Sequence, residues 1–301
     1  MRYKNTLISV IVLLIIVTLI ESASDRQAPI KKAQKEKEEI FFALSPLEAK
    51  AIYVYDLGRD KVLYEKNADL ALPLASLAKL MTAFVALKEA PKGTLITIDG
   101  ESLAKEGDTG LILGEKWTLK KLVEFTLTTS SNDGAAAIAL AFNSKRENTN
   151  AKSKTFVERM NEEALKLGLS HTRFLNETGL DEAQSKVGAY GSARDISALL
   201  GEFLKQYPEI LEATTYAIQS IYSENKIHNI ENTNKETSKI PGLMASKTGF
   251  TDIAGGNLII AFDAGLGQPI IITVLGSTQE GRFSDMETLA ERAREAIRQG
   301  M

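Results

Sequence analysis

The sequence predicts an α/β protein of the α+β type, with one antiparallel sheet built from both ends of the folded region and a helical insert between them. Three observations predict it. Short β-branched runs cluster early ("AIYVYD", "KVLYEKN") and again late ("GLMASKTGF", "GGNLIIAFD", "PIIITVLGS"). Between them, apolar residues recur at helical spacing. A last amphipathic stretch follows the final strand. The order strands, helices, strands, helix is satisfied by one sheet carrying an inserted helical layer.

Taken in order, the chain opens with Arg2 and Lys4 before an apolar run from Leu7 to Ile20, then Ser22 and Ser24 placed for a peptidase cut before Asp25. Residues 1–24 read as an export signal, or, left uncleaved, as an N-terminal anchor. The uncharged stretch Asn5 to Ile20 has 16 residues, about 24 Å as helix. That is short of the ~20 residues of a membrane span and favours cleavage. Either way the body faces outward from the cytoplasmic membrane. Residues 25–45, with "KKAQKEKEE", form a charged, solvated linker. The folded domain is 46–301, with its helical insert over about 90–236.

"AIYVYD", a turn at "LGRD", and "KVLYEKN" form a hairpin. After Pro73, Leu77, Leu80, Met81, Phe84, Val85 and Leu87 mark a buried helix. "TLITID" is a short strand, and Thr118 to Lys205 is largely helical. Its stripes are Leu119, Leu122, Val123 and Leu127, then "AAAIALAF", then Phe156, Met160, Ala164 and Leu167 closed by Gly168. The polar "NSKRENTNAKS" is a surface loop. Ser192 and Asp195 form a capping box before Ile196, Leu199, Leu200 and Phe203. The last three strands follow, with "DAGLGQ" turning between the second and third. Ser284 to Glu287 is a second capping box, opening a terminal helix with Phe283, Met286, Leu289, Ala293, Ala296 and Ile297 on one side.

Composition narrows the function classes. The 301 residues are 44% hydrophobic and 25% charged, enough for one large core or two lobes. A net charge of -3 gives no reason to expect nucleic acid. Without cysteine there is no disulfide, thiolate metal site or thiol nucleophile. His171 and His228 lie far apart with no HExxH pattern, so no metal is expected. No GxSxG is present, which speaks against a Ser-His-Asp hydrolase.

Ser-x-x-Lys occurs three times, at Ser76–Lys79, Ser102–Lys105 and Ser223–Lys226. Context separates them. Ser76 opens the buried helix after Pro73, where helical spacing puts Lys79 on its own face. First-turn N–H groups there suit a developing oxyanion. Burial withdraws Lys79 from water. An ordinary lysine is neutral about once in 2,500 molecules at pH 7. Desolvation or a second cation makes it a usable base. Ser102–Lys105 runs into Glu106, Gly107 and Asp108 and reads as a solvated turn, its lysine kept charged by an adjacent carboxylate. Two further groups join Ser76. Ser130-Ser-Asn132 precedes a helix, although Ser-x-Asn alone is also a plain N-cap pattern and recurs at Ser223-Glu-Asn225. Lys247-Thr-Gly249 lies on a strand and is rarer; by itself it could be an edge-strand turn.

Together and in this order, Ser76-Leu-Ala-Lys79, Ser130-Ser-Asn132 and Lys247-Thr-Gly249 resemble the motifs of the penicillin-recognising serine enzymes. "LASLAKLMTA", "SSNDGAAAIA", "FLNETGLD", "GSARDISALL" and "SKTGFTDIAGGNLI" are similar to blocks of the D-alanyl-D-alanine carboxypeptidases, the low-molecular-mass penicillin-binding proteins of serine peptidase family S11. The similarity runs from about Ala51 to Val274. It implies a β-lactamase/transpeptidase-like fold with the site between sheet and helical lobe, no cofactor, and a peptidoglycan stem peptide as substrate. β-Lactam antibiotics would be covalent inhibitors. The location implied is the outer face of the bacterial cytoplasmic membrane, the periplasm or the cell wall. Implied roles are Ser76 as nucleophile, Lys79 as its base, Ser130 as proton relay and Asn132 as a ligand of the substrate backbone. Lys247 and Thr248 would hold the charge balance and the terminal carboxylate. The Ser76 and Phe250 N–H groups would form the oxyanion hole, and Gly249 would allow close approach.

Two departures stand out. Ser131 replaces the family's usual glycine, and the chain ends at Met301 without the family's frequent β-rich domain and amphipathic anchor, which leaves membrane association to the N-terminal segment. Three alternatives share the motifs. An endopeptidase would cut D-alanyl cross-links. A class A β-lactamase would carry Glu four residues before Asn, but Thr172 stands there in "TRFLN" and no Glu-x-x-x-Asn occurs. An inactive peptidoglycan-binding module would not need the complete set Ser76, Lys79, Ser130 and Lys247.

Overall fold

The computed structural model describes residues 41–42, 46–144, 154–182, 186–265 and 267–300. The expected leader, nearly all of the charged linker and most of the "NSKRENTNAKS" loop lie outside the described residues. The chain divides into two units, 1–44 and 45–301. In the first, Phe41 and Phe42 are helical, and their rings meet edge-on at 5.6 Å.

In the second unit, β1 (Ala51–Asp56) and β2 (Lys61–Lys66) form the expected hairpin, Tyr53 facing Glu65 and Asp56 facing Lys61. Far along the chain come β10 (Leu243–Thr251), β11 (Gly255–Asp263) and β12 (Pro269–Ser277). The sheet order is β10-β11-β12-β1-β2, antiparallel at every joint. The sheet from both chain ends is therefore as the sequence predicts. Its middle strands are buried along nearly their whole length, which explains runs such as "PIIITVL" that do not alternate. Helix α5 (Ala193–Gln206) lies on one face, where Ser197 Oγ and Thr273 Oγ1 share a hydrogen bond of 2.6 Å. Helix α7 (Gly281–Arg298) lies on the other, with the Arg294 guanidinium over the Phe262 ring.

The helical lobe, which begins before residue 90, carries the remaining elements: β3 (Leu72–Pro73), α1 (Lys79–Glu89), β4 (Leu95–Thr97), β5 (Lys116–Thr118), α2 (Leu119–Thr129), α3 (Asn132–Ser144), α4 (Phe156–Lys166), β6 (Arg173–Phe174), β7 (Ala189–Gly191), α6 (Pro208–Leu211), β8 (Ile218–Tyr222) and β9 (Ile227–Glu231). Helix α1 is its axis. Every residue from Lys79 to Leu87 is buried, as expected of a helix apolar on all sides, and it packs against α2, α3, α4 and α5. Each large side chain there, Phe84 for example, contributes about 1.5–3 kcal/mol.

Four expectations need correction. The stretch from Thr118 to Lys205 is interrupted by β6 and β7, strands too short to show a period. Ser192 does cap α5, its Oγ accepting from Asp195 N, but Asp195 does not reciprocate. Its carboxylate instead accepts from His171 N and Thr172 Oγ1. The terminal helix begins at Gly281, three residues before the expected cap. Thr278 Oγ1 accepts from Gly281 N, and Ser284 Oγ donates within the helix to the Gly281 carbonyl. Asp285, the second residue of the supposed box, instead accepts from Glu48 N, Ala49 N and Ser277 Oγ, tying α7 to the strands' approach.

Candidate active site

The segment carrying Ser76 is fixed from several sides. Leu74 N donates to Ala189 O of β7. Asn257 of β11 donates through Nδ2 to the carbonyls of Pro73 (2.9 Å) and Leu74 (3.0 Å), while its Oδ1 accepts from Gly276 N. Ala75 then takes φ 48°, a left-handed conformation that is unfavourable for a residue with a Cβ. Two glycines close in on it. A Cβ at Gly179 would stand 1.9 Å from Ala75 O, and one at Gly249 would stand 2.8 Å from Leu74 O and 3.2 Å from Ser76 N. This brings β10 and the "NETGLD" segment against the backbone of the nucleophile candidate.

Ser76 itself lies in a 3-10 turn, Ala75–Ala78, and α1 proper starts at Lys79. The tighter turn eclipses residues three apart, which brings the pair together more directly than an α-helix would. Lys79 Nζ is 2.8 Å from Ser76 Oγ, 2.7 Å from Asn132 Oδ1 and 2.8 Å from the Thr178 carbonyl. Lys79 is fully buried, whereas Ser76 is partly exposed. Burial lowers the Lys79 pKa from 10.5 to about 7, and the Glu177 carboxylate works against it. The two oxygens of Asn132 and Thr178 can only accept. A neutral amine therefore gives them its two N–H groups and turns its lone pair toward the Ser76 hydroxyl.

The second cluster adjoins the first. Ser130 sits between α2 and α3 with φ 60°. Lys247 of β10 donates to Ser130 Oγ (2.8 Å) and to Thr248 O (2.7 Å). It too is buried, and its pKa falls well below the usual lysine value through burial, then repulsion from Lys79 and Arg282. Thr248 Oγ1 donates to Thr233 Oγ1 (2.6 Å). Phe250 is over a third exposed on the same strand. Ser131 is accommodated without disturbance: its Oγ meets Thr109 Oγ1 at 2.6 Å and accepts from Gly134 N. Among the described residues no cluster of histidines and carboxylates is arranged to hold a metal.

The other two Ser-x-x-Lys copies lie elsewhere. Ser223 donates to the buried Glu115, which also pairs with His228 under Trp117. Ser102 belongs to a 3-10 turn but is not solvated as its sequence implies: it is completely buried, and its Oγ donates to Asp99 O. Lys105 does pair with a carboxylate, but the partner is Glu177, at 3.1 Å, not its neighbour Glu106. Thr172 is held by Asp195.

Sequence reasoning missed five contributors: Thr178, Glu177, Asn257, Thr233 and Arg282. Arg282 donates to the Gly249 carbonyl at 2.8 Å. Thr178 and Glu177 lie in the quoted "FLNETGLD" block, which was the available signal. Asn257 likewise lies in the quoted "SKTGFTDIAGGNLI" block, whereas Thr233 and Arg282 had no signal.

Comparisons with known proteins agree with this geometry. A family model described as D-alanyl-D-alanine carboxypeptidase (Peptidase_S11) matches residues 34–279. A D-alanyl-D-alanine carboxypeptidase of Bacillus subtilis is 31% identical over 82% of this chain. The chain spans 62% of that relative's length. A D-alanyl-D-alanine endopeptidase of Pseudomonas aeruginosa is 27% identical, over 85% of this chain and 78% of the relative. A penicillin-binding protein of Listeria monocytogenes, solved in an ampicillin-bound form, is 30% identical with a TM-score of 0.67, covering 82% of this chain and 98% of that one.

Proposed function

The chain belongs to the D-alanyl-D-alanine carboxypeptidase family, and from that premise we propose that it is a serine-type D-Ala-D-Ala carboxypeptidase that removes the terminal D-alanine from peptidoglycan stem pentapeptides. Ser76 Oγ attacks the carbonyl between the last two D-alanines as its proton passes to Lys79. The backbone N–H groups of Ser76 and Phe250 receive the oxyanion, a contribution of ~3 kcal/mol per donor in related chemistry. Ser130, with Lys247 behind it, delivers a proton to the departing amine. Asn132 holds the substrate backbone, and Lys247 with Thr248 holds the terminal carboxylate beside the close approach at Gly249. Terminal D-alanine leaves, and water releases the shortened peptide from the acyl-enzyme.

One observation carries the reading: a fully buried Lys79 amine 2.8 Å from Ser76 Oγ, with two obligate acceptors on its other sides. At a pKa of about 7, roughly half of the molecules hold a neutral amine at pH 7, against ~1 in 2,500 for an unburied lysine. β-Lactams, whose strained amide mimics the scissile bond, would acylate Ser76. The same chemistry would act outside the cytoplasmic membrane, with the apolar N-terminal segment as a point of membrane association. Among the described residues no helix is long and apolar enough to cross a membrane.

Incubation with a pentapeptide and with a cross-linked muropeptide tests the proposal. Free D-alanine from the pentapeptide is expected. Cleavage of the cross-link alone would replace it with an endopeptidase, the activity named for the Pseudomonas relative. Rapid turnover of penicillin would make the protein a β-lactamase, and no covalent chemistry at all would leave a binding module.

A further inference from the structure

The Ser102–Lys105 copy of the Ser-x-x-Lys pattern is not idle. We propose that Lys105 is a positioning residue for Lys79, acting through Glu177: the Lys105–Glu177 ion pair neutralises a carboxylate beside the base and clamps together two segments that each hold a side chain of the site. The inference rests on the reading of Lys79 as the base of Ser76.

Its geometry runs in both directions from the pair. Lys105 Nζ lies 3.1 Å from Glu177 Oε1, with the glutamate side chain 12% exposed. On one side of the pair, the residue after Lys105 accepts from the site: Asn132 Nδ2 donates to the Glu106 carbonyl at 2.6 Å. On the other side, the residue after Glu177 does the same, with Lys79 Nζ donating to the Thr178 carbonyl. The Glu177 carbonyl accepts from Thr82 Oγ1 at 2.6 Å, one turn along α1 from Lys79. The pair thus closes a ring: Lys79, Asn132, Glu106, Lys105, Glu177, Thr178 and back to Lys79. Buried Ser102, bonded to Asp99, anchors the turn from which Lys105 projects.

The charge argument has a definite sign. A carboxylate near Lys79 favours the ammonium, and Glu177 acts on Lys79 in that sense. A cation bound to that carboxylate cancels part of its field. The other charged groups nearby are few. Lys247 of β10 repels Lys79, with Arg282 of α7 behind it. Glu182, bound to Lys186, also feels Lys105. Asp133, next to Asn132, is influenced by Asp108. Among the described residues, Glu177 is the carboxylate that acts on Lys79.

The test is the pH profile of acylation by a fluorescent penicillin, from about pH 5.5 to about pH 9, on the full chain and three variants. In Lys105→Met the rising limb moves to higher pH by ~0.5–1 unit, so labelling at pH 6 falls ~3–10-fold while the alkaline plateau is kept. In Glu177→Gln, which keeps both backbone acceptors, the limb moves the other way. In the double variant, Lys105→Met adds no further shift. Lys105→Arg restores the parent limb. A Lys105→Met profile lowered equally at all pH values, or shifted just as far without Glu177, overturns the inference and leaves a merely structural pair. A parent protein that takes no Ser76-dependent label overturns the functional reading instead.

Discussion

Replacing Lys79 by methionine keeps the volume of the buried stem and removes the amine. The expected loss of acylation follows from the neutral fraction. Burial brings the lysine pKa to about 7, which raises the reactive form about a thousandfold over an ordinary lysine at pH 7. General-base assistance of this kind is worth ~10²–10⁴ in rate. Labelling by a fluorescent penicillin should therefore fall by about three orders of magnitude. Stability is set by two opposing changes. Holding a lysine neutral against an unfolded value near 10.5 costs about 5 kcal/mol at pH 7. The methionine leaves Asn132 Oδ1 and Thr178 O without a donor, a loss of about 1–3 kcal/mol each. The two sums, about 5 kcal/mol gained against about 2–6 kcal/mol lost, nearly cancel at pH 7, so the change of stability with pH is the quantity to read.

The pH dependence carries a clear sign. The folded lysine has released its proton between about pH 7 and pH 10.5 while the unfolded chain still binds one, so this group's contribution improves as pH rises through that window. Below about pH 7 its destabilisation is complete and constant. The stability of the variant relative to the parent in thermal denaturation should thus be highest near or below pH 7 and fall toward pH 10. Relief of the repulsion on Lys247 acts in the same direction. Parallel stability curves, or labelling within tenfold of the parent, would refute the claim that a desolvated neutral amine drives the reaction.

Ser76→Ala should abolish penicillin labelling. Ser102→Ala should retain it and lose about 1 kcal/mol of stability, read by chemical denaturation, because the buried Ser102 hydroxyl's bond to the Asp99 carbonyl is lost. Gly179→Ala places a Cβ 1.9 Å from Ala75 O at φ 78°; labelling should fall at least tenfold, with a melting loss that measures how far the Ser76 turn is displaced. Asp285→Ala removes three acceptor contacts from the start of the folded unit, and about 3 kcal/mol or more should be lost with the acylation rate of the folded fraction unchanged.

How much was legible in the residues depends on range. The β1–β2 hairpin and the final strands follow from period and turn chemistry, which are local, and the sheet from both ends follows from their order. The site motifs were legible because three short patterns coincided. What escaped reading depends on partners remote in the chain. Ser102 looks solvated beside Glu106, Gly107 and Asp108, yet packing buries it completely. The α7 start was misjudged because Ser284 has the right spacing for a cap, while Thr278 and Asp285 settle the ends through contacts with Gly281, Glu48 and Ala49. Asn257 sits within an apolar strand, and only the structure reveals that its amide holds the carbonyls before Ser76. Glu177 lay within a quoted block, but its ion partner is Lys105, distant in sequence.

The order of the strands has a consequence for biosynthesis. Ser76 and Lys79 leave the ribosome early, whereas β10, β11 and β12 are made in the last quarter of the chain. Half of the crevice, and the strands that pin the Leu74–Ser76 backbone, are missing until then. A polypeptide that stops before β10 therefore lacks both Lys247 behind Ser130 and the Asn257 amide that holds the Leu74 carbonyl. The surroundings of Ser76 are thus complete only after these late strands have folded back against the early Leu74–Ser76 backbone, which joins parts of the crevice made far apart in time.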